Sequence, residues 1–126
     1  MEIIIDTNFV LTCAKEKIDF AVIAEEIITE SVEWTVPQQV LDELGQLKDR
    51  PGMKIKDKEA ANLSFTLLQA IAPKIVNLGR NPNVDIGIVN YALKSGGVVA
   101  TMDRGLKGRL QNQILTVRGK NWLELI

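Results

Sequence analysis

Short, continuous runs of apolar residues alternate with longer amphipathic stretches along this chain of 126 residues. A continuous apolar run is typical of a strand that is buried on both faces of a parallel sheet. The amphipathic stretches repeat apolar residues at intervals of three and four, which predicts helices. The predicted strands are Ile3–Ile5, Glu33–Val36, Ile75–Leu78, Val98–Thr101 and Ile114–Val117, and the predicted helices cover about Phe20–Thr29, Gln38–Lys48, Lys56–Ile71, Asp85–Lys94 and Arg104–Gln111.

Strands that alternate with helices predict the α/β class. We expect a three-layer α/β/α fold with a central, mostly parallel sheet of about five strands, joined by right-handed crossovers. Turn residues fit this division, because Pro37 suits the first turn of a helix, Gly96 suits a helix end, and Pro51 with Gly52 indicates a turn. The length and a hydrophobic content of 46% suit one core, so we expect a single domain over residues 1–126.

The N-terminal segment MEIIIDTN has neither the basic start nor the long apolar run of a secretory signal. No stretch approaches the roughly 20 apolar residues of a membrane span. We therefore expect a cytoplasmic protein without a membrane partner.

The chain contains no histidine and one cysteine, Cys13. This composition excludes an internal disulfide, HExxH zinc sites and nucleophiles activated by histidine. We expect Cys13 to be a buried small apolar residue, and we expect no organic cofactor. Any metal site must use oxygen ligands, and any catalysis depends on carboxylates.

Two acids follow predicted strands, one directly and one after a single intervening residue. Asp6 follows the first apolar run and Asp103 follows Val98–Thr101. In parallel α/β sheets, ligands bind in the crevice beyond the carboxyl ends of the strands, so both acids point to that edge. The simpler interpretation is that Asp103 caps a helix and that Asp6 belongs to a turn or a cap.

Two further acids lie on predicted helices. Glu43 flanks the apolar stripe of its helix, whereas the neighbouring Asp42 falls toward solvent. Asp85 aligns with Val89 and Ala92, so it continues the core-facing stripe of its helix. The simpler interpretations are an exposed glutamate for Glu43 and a helix-start cap for Asp85.

The four acids together favour a metal site. Carboxylates gathered at one edge of a buried sheet repel one another and lose hydration, which costs several kcal/mol per ion unless a cation compensates. Oxygen ligands without nitrogen or sulfur favour Mg²⁺ or Mn²⁺. The sequence therefore predicts that Asp6, Glu43, Asp85 and Asp103 bind one or two such ions.

The net charge of −1 conceals an uneven distribution. Residues 1–47 carry ten acids and two lysines, whereas residues 48–126 carry thirteen basic residues and six acids. The basic residues concentrate in 48–58 and 104–120, and such segments either bind phosphate backbones or form solvated helix faces. The candidates for nucleic-acid contact are Lys48, Arg50, Lys54, Lys56, Lys58, Arg104, Lys107 and Arg109.

Four segments resemble the PIN-domain nucleases, in the family's order and over essentially the whole chain: IIIDTNFVL, VPQQVLDEL, NVDIGIVNYAL and VVATMDRGLKGRL. The form DTNFVL, the lysine-rich segment after the second acid and the stretch ILTVRGKNWLEL resemble the archaeal rRNA-processing branch, which is related to the small-subunit processome nucleases. The toxin branch of toxin and antitoxin pairs is the nearest alternative.

The resemblance implies a PIN-like fold and a metal-dependent endoribonuclease that acts on RNA, in this branch on an rRNA precursor. The family's acidic set corresponds to the four acids named above, and Asn8 and Thr101 correspond to its supporting polar residues. Many relatives carry another acid after the third one or an asparagine before the fourth, where this chain has Ile86 and Met102. The chain therefore has one carboxylate fewer, which weakens the case for two tightly bound metals.

Two other classes of α/β protein fit the sequence less well, and a third alternative keeps the fold without catalysis. A receiver domain needs an acidic pair after its first strand, and a haloacid-dehalogenase phosphatase needs a second aspartate where Asn8 stands. A non-catalytic RNA-binding assembly factor with the same fold stays open as an alternative. We expect Trp34 and Trp122 to pack in the core. PIN relatives often form homodimers, although no feature of this sequence requires one.

Overall fold

The computed structural model of the protein describes residues 1–80 and 83–126. The expected three-layer α/β arrangement is confirmed, with helices on both faces of one sheet. The strands are β1 (Glu2–Ile5), β2 (Glu33–Pro37), β3 (Lys74–Val76), β4 (Val98–Ala100), β5 (Ile114–Arg118) and β6 (Trp122–Leu125). The helices are α1 (Thr7–Glu16), α2 (Phe20–Ile27), α3 (Gln38–Asp49), α4 (Ile55–Ala70), α5 (Val84–Ser95) and α6 (Arg104–Arg109).

The strands form one sheet in the order β3-β2-β1-β4-β5-β6. β1 to β5 pair in parallel, and β6 pairs antiparallel with β5. The expected sheet of about five strands is therefore extended by β6, which a turn with Gly119 at φ 65° joins to β5 as a hairpin. The mostly parallel character of the sheet is as predicted.

The central strands are buried on both faces, which explains their continuous apolar runs. Ile3 and Ile5 of β1 pack into the larger core, with residues of α1 to α4. Ile4, between them, faces the smaller core, together with Ile88 of α5 and Leu106 of α6. Because successive side chains of a strand point to opposite faces, a strand between two helical layers is apolar at every position.

The predicted helices begin and end within about two residues of the observed ones, but α1 was missed. Asp6, Thr7 and Asn8 indicate a turn, and the same residues begin this helix because Asp6 caps it. The end of α5 is as predicted, since Gly96 adopts the left-handed conformation at φ 73°.

The two tryptophans differ in burial. Trp34 packs edge-on against Phe20, with ring centroids 5.2 Å apart, as expected of a core residue. The expectation for Trp122 is wrong, because 43% of this residue is exposed. It lies on the edge strand β6, where alternation directs Leu123 into the core and Trp122 away from it.

None of the helices in the described ranges combines the length and the apolar character needed to cross a membrane.

Candidate active site

The sheet brings the end of β1 next to the end of β4. Ile5 is paired with Ala100, and the backbone N–H of Asp6 donates to the Ala100 carbonyl at 2.9 Å. Asp6 and Thr101, the next residue of each chain segment, therefore lie side by side. The strand order reverses direction between β1 and β4, and this is the position where parallel α/β sheets form a crevice at their carboxyl edge.

The four acids singled out from the sequence line one open cleft of about 280 Å³ at this edge. They come from four parts of the chain: the end of β1, the middle of α3, the first turn of α5 and the residue before α6. The other lining residues are Thr7, Asn8, Leu11 and Leu47. The structure thus brings the predicted acids together, whereas the neighbouring Asp42 is exposed outside the cleft.

Two of the acids also cap helices, as the simpler interpretation proposed. Asp6 Oδ1 accepts from the Thr7 N–H at 2.9 Å, and Asp103 Oδ1 accepts from Gly105 and Leu106 at 2.8 and 3.3 Å. Asp85 is not a cap, because Asn83 caps α5. Capping and cleft lining are compatible, since each cap uses only Oδ1 of its aspartate. The positive ends of the helix dipoles also favour carboxylates at these positions.

Thr101 joins Asp6 to Asp103. Its hydroxyl, which is fully buried, donates to Asp6 Oδ2 at 2.8 Å and accepts from the backbone N–H of Asp103 at 3.1 Å. Asn8 supports the same segment, because its Oδ1 accepts from the Met102 N–H at 2.9 Å. The Thr101 hydroxyl therefore connects the carboxylate of Asp6 to the backbone of Asp103, a residue far from it in sequence.

Burial disfavours negative charge in the cleft. Asp6 is only 4% exposed. This burial is the main cause that raises its pKa to about 6, while hydrogen bonds from Thr101 and Thr7 oppose the rise and the charges of Asp85 and Glu43 add to it. Burial also raises the pKa of Glu43, again with a contribution from Asp85. Within residues 1–80 and 83–126, no basic side chain contributes to the pKa of Asp6 or Glu43, so burial of these two carboxylates is not compensated by a positive charge there.

The donor set of the cleft fits a hard divalent cation. All its polar side-chain atoms except the Asn8 amide nitrogen are oxygens, and among the described residues Asp103 Oδ2 accepts no protein hydrogen bond. The Thr7 hydroxyl is buried and meets no partner at hydrogen-bond geometry, although it is near enough to Glu43 to lower the pKa of that residue somewhat. Within the described ranges, no three carboxylates already form a closed set of ligands.

Three lining residues were not singled out as site residues from the sequence. Thr7 and Leu11 lie one helical turn apart on α1, and Leu47 lies one turn after Glu43 on α3. The spacing of four residues identifies them once the helices are assigned. Because the predicted helices begin only at Phe20, the inward face of α1 could not be recognised.

The basic candidates are mostly exposed. Lys58 and Lys107 are partly buried, and the Lys107 ammonium donates to the Thr116 hydroxyl at 2.8 Å. This contact uses one of the three N–H groups of Lys107, so two remain for other acceptors. The exposed candidates are Lys48, Arg50, Lys54, Lys56, Arg104 and Arg109. Their contact with nucleic acid stays a prediction.

Thr101→Val keeps the shape of the side chain and removes the hydroxyl between Asp6 and Asp103. We expect kcat of the nuclease reaction proposed below to fall by about 10- to 100-fold with little change in KM, because supporting groups of this kind position acidic ligands. Steady-state kinetics on an RNA substrate measures both constants. Thr35→Val is the matched control, since this buried hydroxyl donates to Glu2 instead, at 2.6 Å. An equal loss in both variants would contradict the positioning role.

Comparisons with known proteins agree with this geometry. The family described as "PIN like domain" matches residues 3–120. Ribonuclease VapC4 of Methanocaldococcus jannaschii is 31% identical over 128 aligned positions, which cover 98% of this chain and 95% of that protein.

Two solved structures share the fold. The PIN domain endonuclease Utp24 superposes with a TM-score of 0.79 at 22% identity, over 98% of this chain and 90% of that one. A domain of a functionally unknown protein from Methanocaldococcus jannaschii superposes with a TM-score of 0.56 at 15% identity, over 99% and 97% of the two chains. The family match covers nearly the whole sequence, and the chain therefore belongs to the PIN-like domain family.

Proposed function

We propose that this protein is a Mg²⁺- or Mn²⁺-dependent endoribonuclease and that the acidic cleft is its active site. The observation that carries the proposal is the presence of four carboxylates from four separate elements in one cleft. Membership in the PIN-like family supports nuclease activity, and the relative named Ribonuclease VapC4 supports RNA as the substrate.

Asp6 and Asp103 are the proposed direct ligands of the metal. The Oδ2 atom of Asp103 accepts no protein hydrogen bond among the described residues, and Thr101 fixes Asp6 beside it. Glu43 and Asp85, on the other side of the cleft, complete the shell through water or position a second ion. When bound, Mg²⁺ or Mn²⁺ supplies a counter-charge for the acids and polarises the scissile phosphate.

The residues of the chain also control the state of the cleft before RNA arrives. With its pKa raised to about 6, Asp6 is mostly ionised at neutral pH, although its buried charge is poorly compensated. The cleft is therefore poised to accept a cation rather than to hold protons. Asn8 and Thr101 keep the segment before Asp103 in place, so the two aspartates stay oriented toward the same space.

Within the ribonucleases, the resemblance to the archaeal rRNA-processing branch makes precursor rRNA the proposed substrate. A toxin-type ribonuclease is the alternative, and it predicts cleavage of RNAs unrelated to precursor rRNA. Comparing cleavage of a precursor rRNA fragment with that of mRNA and tRNA at equal concentration discriminates the two.

Cleavage of a circular RNA tests the reaction itself, because a circle has no ends for an exonuclease. Purified protein with Mn²⁺ is expected to open the circle, and EDTA is expected to stop the reaction. Binding of Mn²⁺ should independently raise the melting temperature, since an ion that binds only the folded state stabilises it. RNA binding without cleavage under Mn²⁺ would instead select a non-catalytic RNA-binding factor.

The basic segments make a separate prediction about affinity. Binding of single-stranded RNA to an inactive variant should weaken steeply with salt, and Lys54→Gln together with Lys56→Gln should reduce the log–log slope by about 1.4. Titrations of fluorescence anisotropy at several salt concentrations measure the slope. Lys94→Gln is the control, because this exposed lysine lies in the last turn of α5 and not in either basic segment. An unchanged slope in the double variant would assign these lysines to solubility.

A further inference from the structure

The acidic cleft is the first of three cavities that follow one another along α1. The second, of about 190 Å³, shares Leu11 and Leu47 with the cleft and adds Met53, Lys15 and Asp57. The third, of about 160 Å³, shares Lys15 with the second and adds Lys17 and Lys56 among its lining residues. Since four residues of a helix rise about 6 Å, the turns at Thr7, Leu11 and Lys15 lead from the acids into this groove.

The chemistry of the groove changes along its length. The cleft is acidic, and the walls of the middle cavity are formed by the apolar side chains of Leu11, Leu47 and Met53. At its side, Lys15 and Asp57 form an ion pair at 3.1 Å. In the third cavity three lysines and one acid, Glu59, share the lining with apolar side chains, which are those of Ala14, Ala60 and Leu63. The groove thus presents a site for a metal-bound phosphate, then an apolar space, then a partly apolar region with an excess of positive charge.

We propose that the middle cavity is a subsite for one unstacked base of single-stranded RNA, next to the phosphate that is cleaved, and that Lys17 and Lys56 hold the backbone beyond it. This inference rests on the proposed ribonuclease function. A volume of about 190 Å³ is below the roughly 300–1,000 Å³ of typical ligand sites, so it suits one planar ring better than a whole nucleotide. Unpaired bases enter such pockets readily because they are already free of a duplex.

Charge favours a nucleic acid over a protein helix in this groove. A partner helix would bury a continuous apolar stripe several turns long. Here charges interrupt the apolar lining, because Lys15 lines both the middle and the third cavity and stands between their apolar residues, and the acids of the cleft bound the other end. A polynucleotide matches that sequence of environments because its phosphates and bases alternate.

The test combines protein variants with modified RNA. Affinity for a short single-stranded oligonucleotide is measured in the Asp6→Asn protein, with an abasic nucleotide placed at each position in turn. Met53→Ala should weaken binding of the intact oligonucleotide by about fivefold and should not weaken binding of the oligonucleotide whose abasic position matches the subsite. Met53→Leu refills the space and should restore affinity. Ile55→Ala, which removes a 76% exposed side chain outside the three cavities, should have no effect.

The outcomes separate this subsite from the proposed function. An effect of Met53→Ala on affinity that is the same for the intact and for every abasic oligonucleotide, with wild-type cleavage intact, would overturn the subsite and leave the nuclease. Base-dependent binding without wild-type cleavage would support the subsite and overturn the nuclease. Equal affinity for a duplex of the same sequence would overturn the subsite, because paired bases cannot enter it. A dimeric wild type that becomes monomeric with Met53→Ala would assign the cavity to a second copy of the chain.

Discussion

Asp6→Asn is expected to reduce RNA cleavage by about 10²- to 10³-fold, the range seen when one group that stabilises developing charge is removed. The substitution keeps the size of the side chain and its capping oxygen. The amide can donate to the Thr101 hydroxyl, which can then turn toward Asn8 Oδ1, now at 3.3 Å. The loss should therefore reflect the missing charge rather than a disrupted fold. Initial rates at saturating Mn²⁺ measure it.

Asp42→Asn is the matched control for this experiment. Asp42 is exposed on α3 beside Glu43, lies outside the cleft, and accepts a hydrogen bond from Gln38 at 3.0 Å. The rate of RNA cleavage by the Asp42→Asn protein should stay within about twofold of wild type, because substitutions of exposed residues outside a site have small effects. Full activity in the Asp6→Asn protein would remove the cleft from the mechanism.

The same substitution is expected to stabilise the metal-free protein at neutral pH. The native pKa of Asp6 rises from an ordinary value of 3.8 to about 6, mainly through burial, so the folded state binds a proton more tightly than the unfolded chain does. Between about pH 4 and pH 6 the native state therefore retains protons that the unfolded state has released, and the free energy of unfolding falls as the pH rises. Below about pH 4 the penalty is absent, and above about pH 6 it is complete.

The expected gain for Asp6→Asn is about 3 kcal/mol at pH 7.5 with EDTA, and close to zero at pH 4. For a chain of this length, 3 kcal/mol corresponds to a melting temperature higher by roughly 10 °C. Urea unfolding at both pH values measures the gain directly. A gain of equal size at both pH values would contradict the electrostatic explanation, because asparagine and protonated aspartate differ little in shape. Adding Mn²⁺ should raise the free energy of unfolding of the wild type by a similar amount. It should not raise that of the Asp6→Asn protein.

A loss of cleavage together with a gain in stability in the Asp6→Asn protein would show that the Asp6 carboxylate serves the reaction at the expense of the fold. Functional sites commonly hold groups that destabilise the fold until a ligand arrives. Asp6 is such a group because its carboxylate is buried near the charges of Asp85 and Glu43, and its hydrogen-bond donors among the described residues, Thr7 and Thr101, are neutral. A cation therefore benefits both the reaction and the fold.

The sequence predicted most of the sheet and of the acidic site for one physical reason. Strands buried on both faces leave continuous apolar runs, and the residue that follows such a strand must lie at its carboxyl edge. Asp6 could therefore be placed in space from its position after Ile5. Glu43 could be placed because a helix with a distinct apolar stripe defines its inward side, and the structure leaves Asp42 exposed as expected.

Features that depend on tertiary context were not accessible in this way. α1 begins with residues that favour turns, and its helical state depends on the cap from Asp6 and on packing of Phe9, Val10 and Cys13 in the larger core. β6 has only four residues, and it is a strand because β5 is beside it. The groove beyond the cleft joins side chains of α1, α3 and the loop before α4, so no local pattern could reveal it.

The single cysteine provides an internal reporter of motion near the site. Cys13 is fully buried on α1, and burial raises the pKa of its thiol to about 12, so the folded protein offers almost no thiolate to an alkylating reagent. Labelling can then proceed only through states in which the helix capped by Asp6 has opened. The rate of thiol modification therefore measures the free energy of that opening, with and without Mn²⁺, in a protein that needs no engineered probe.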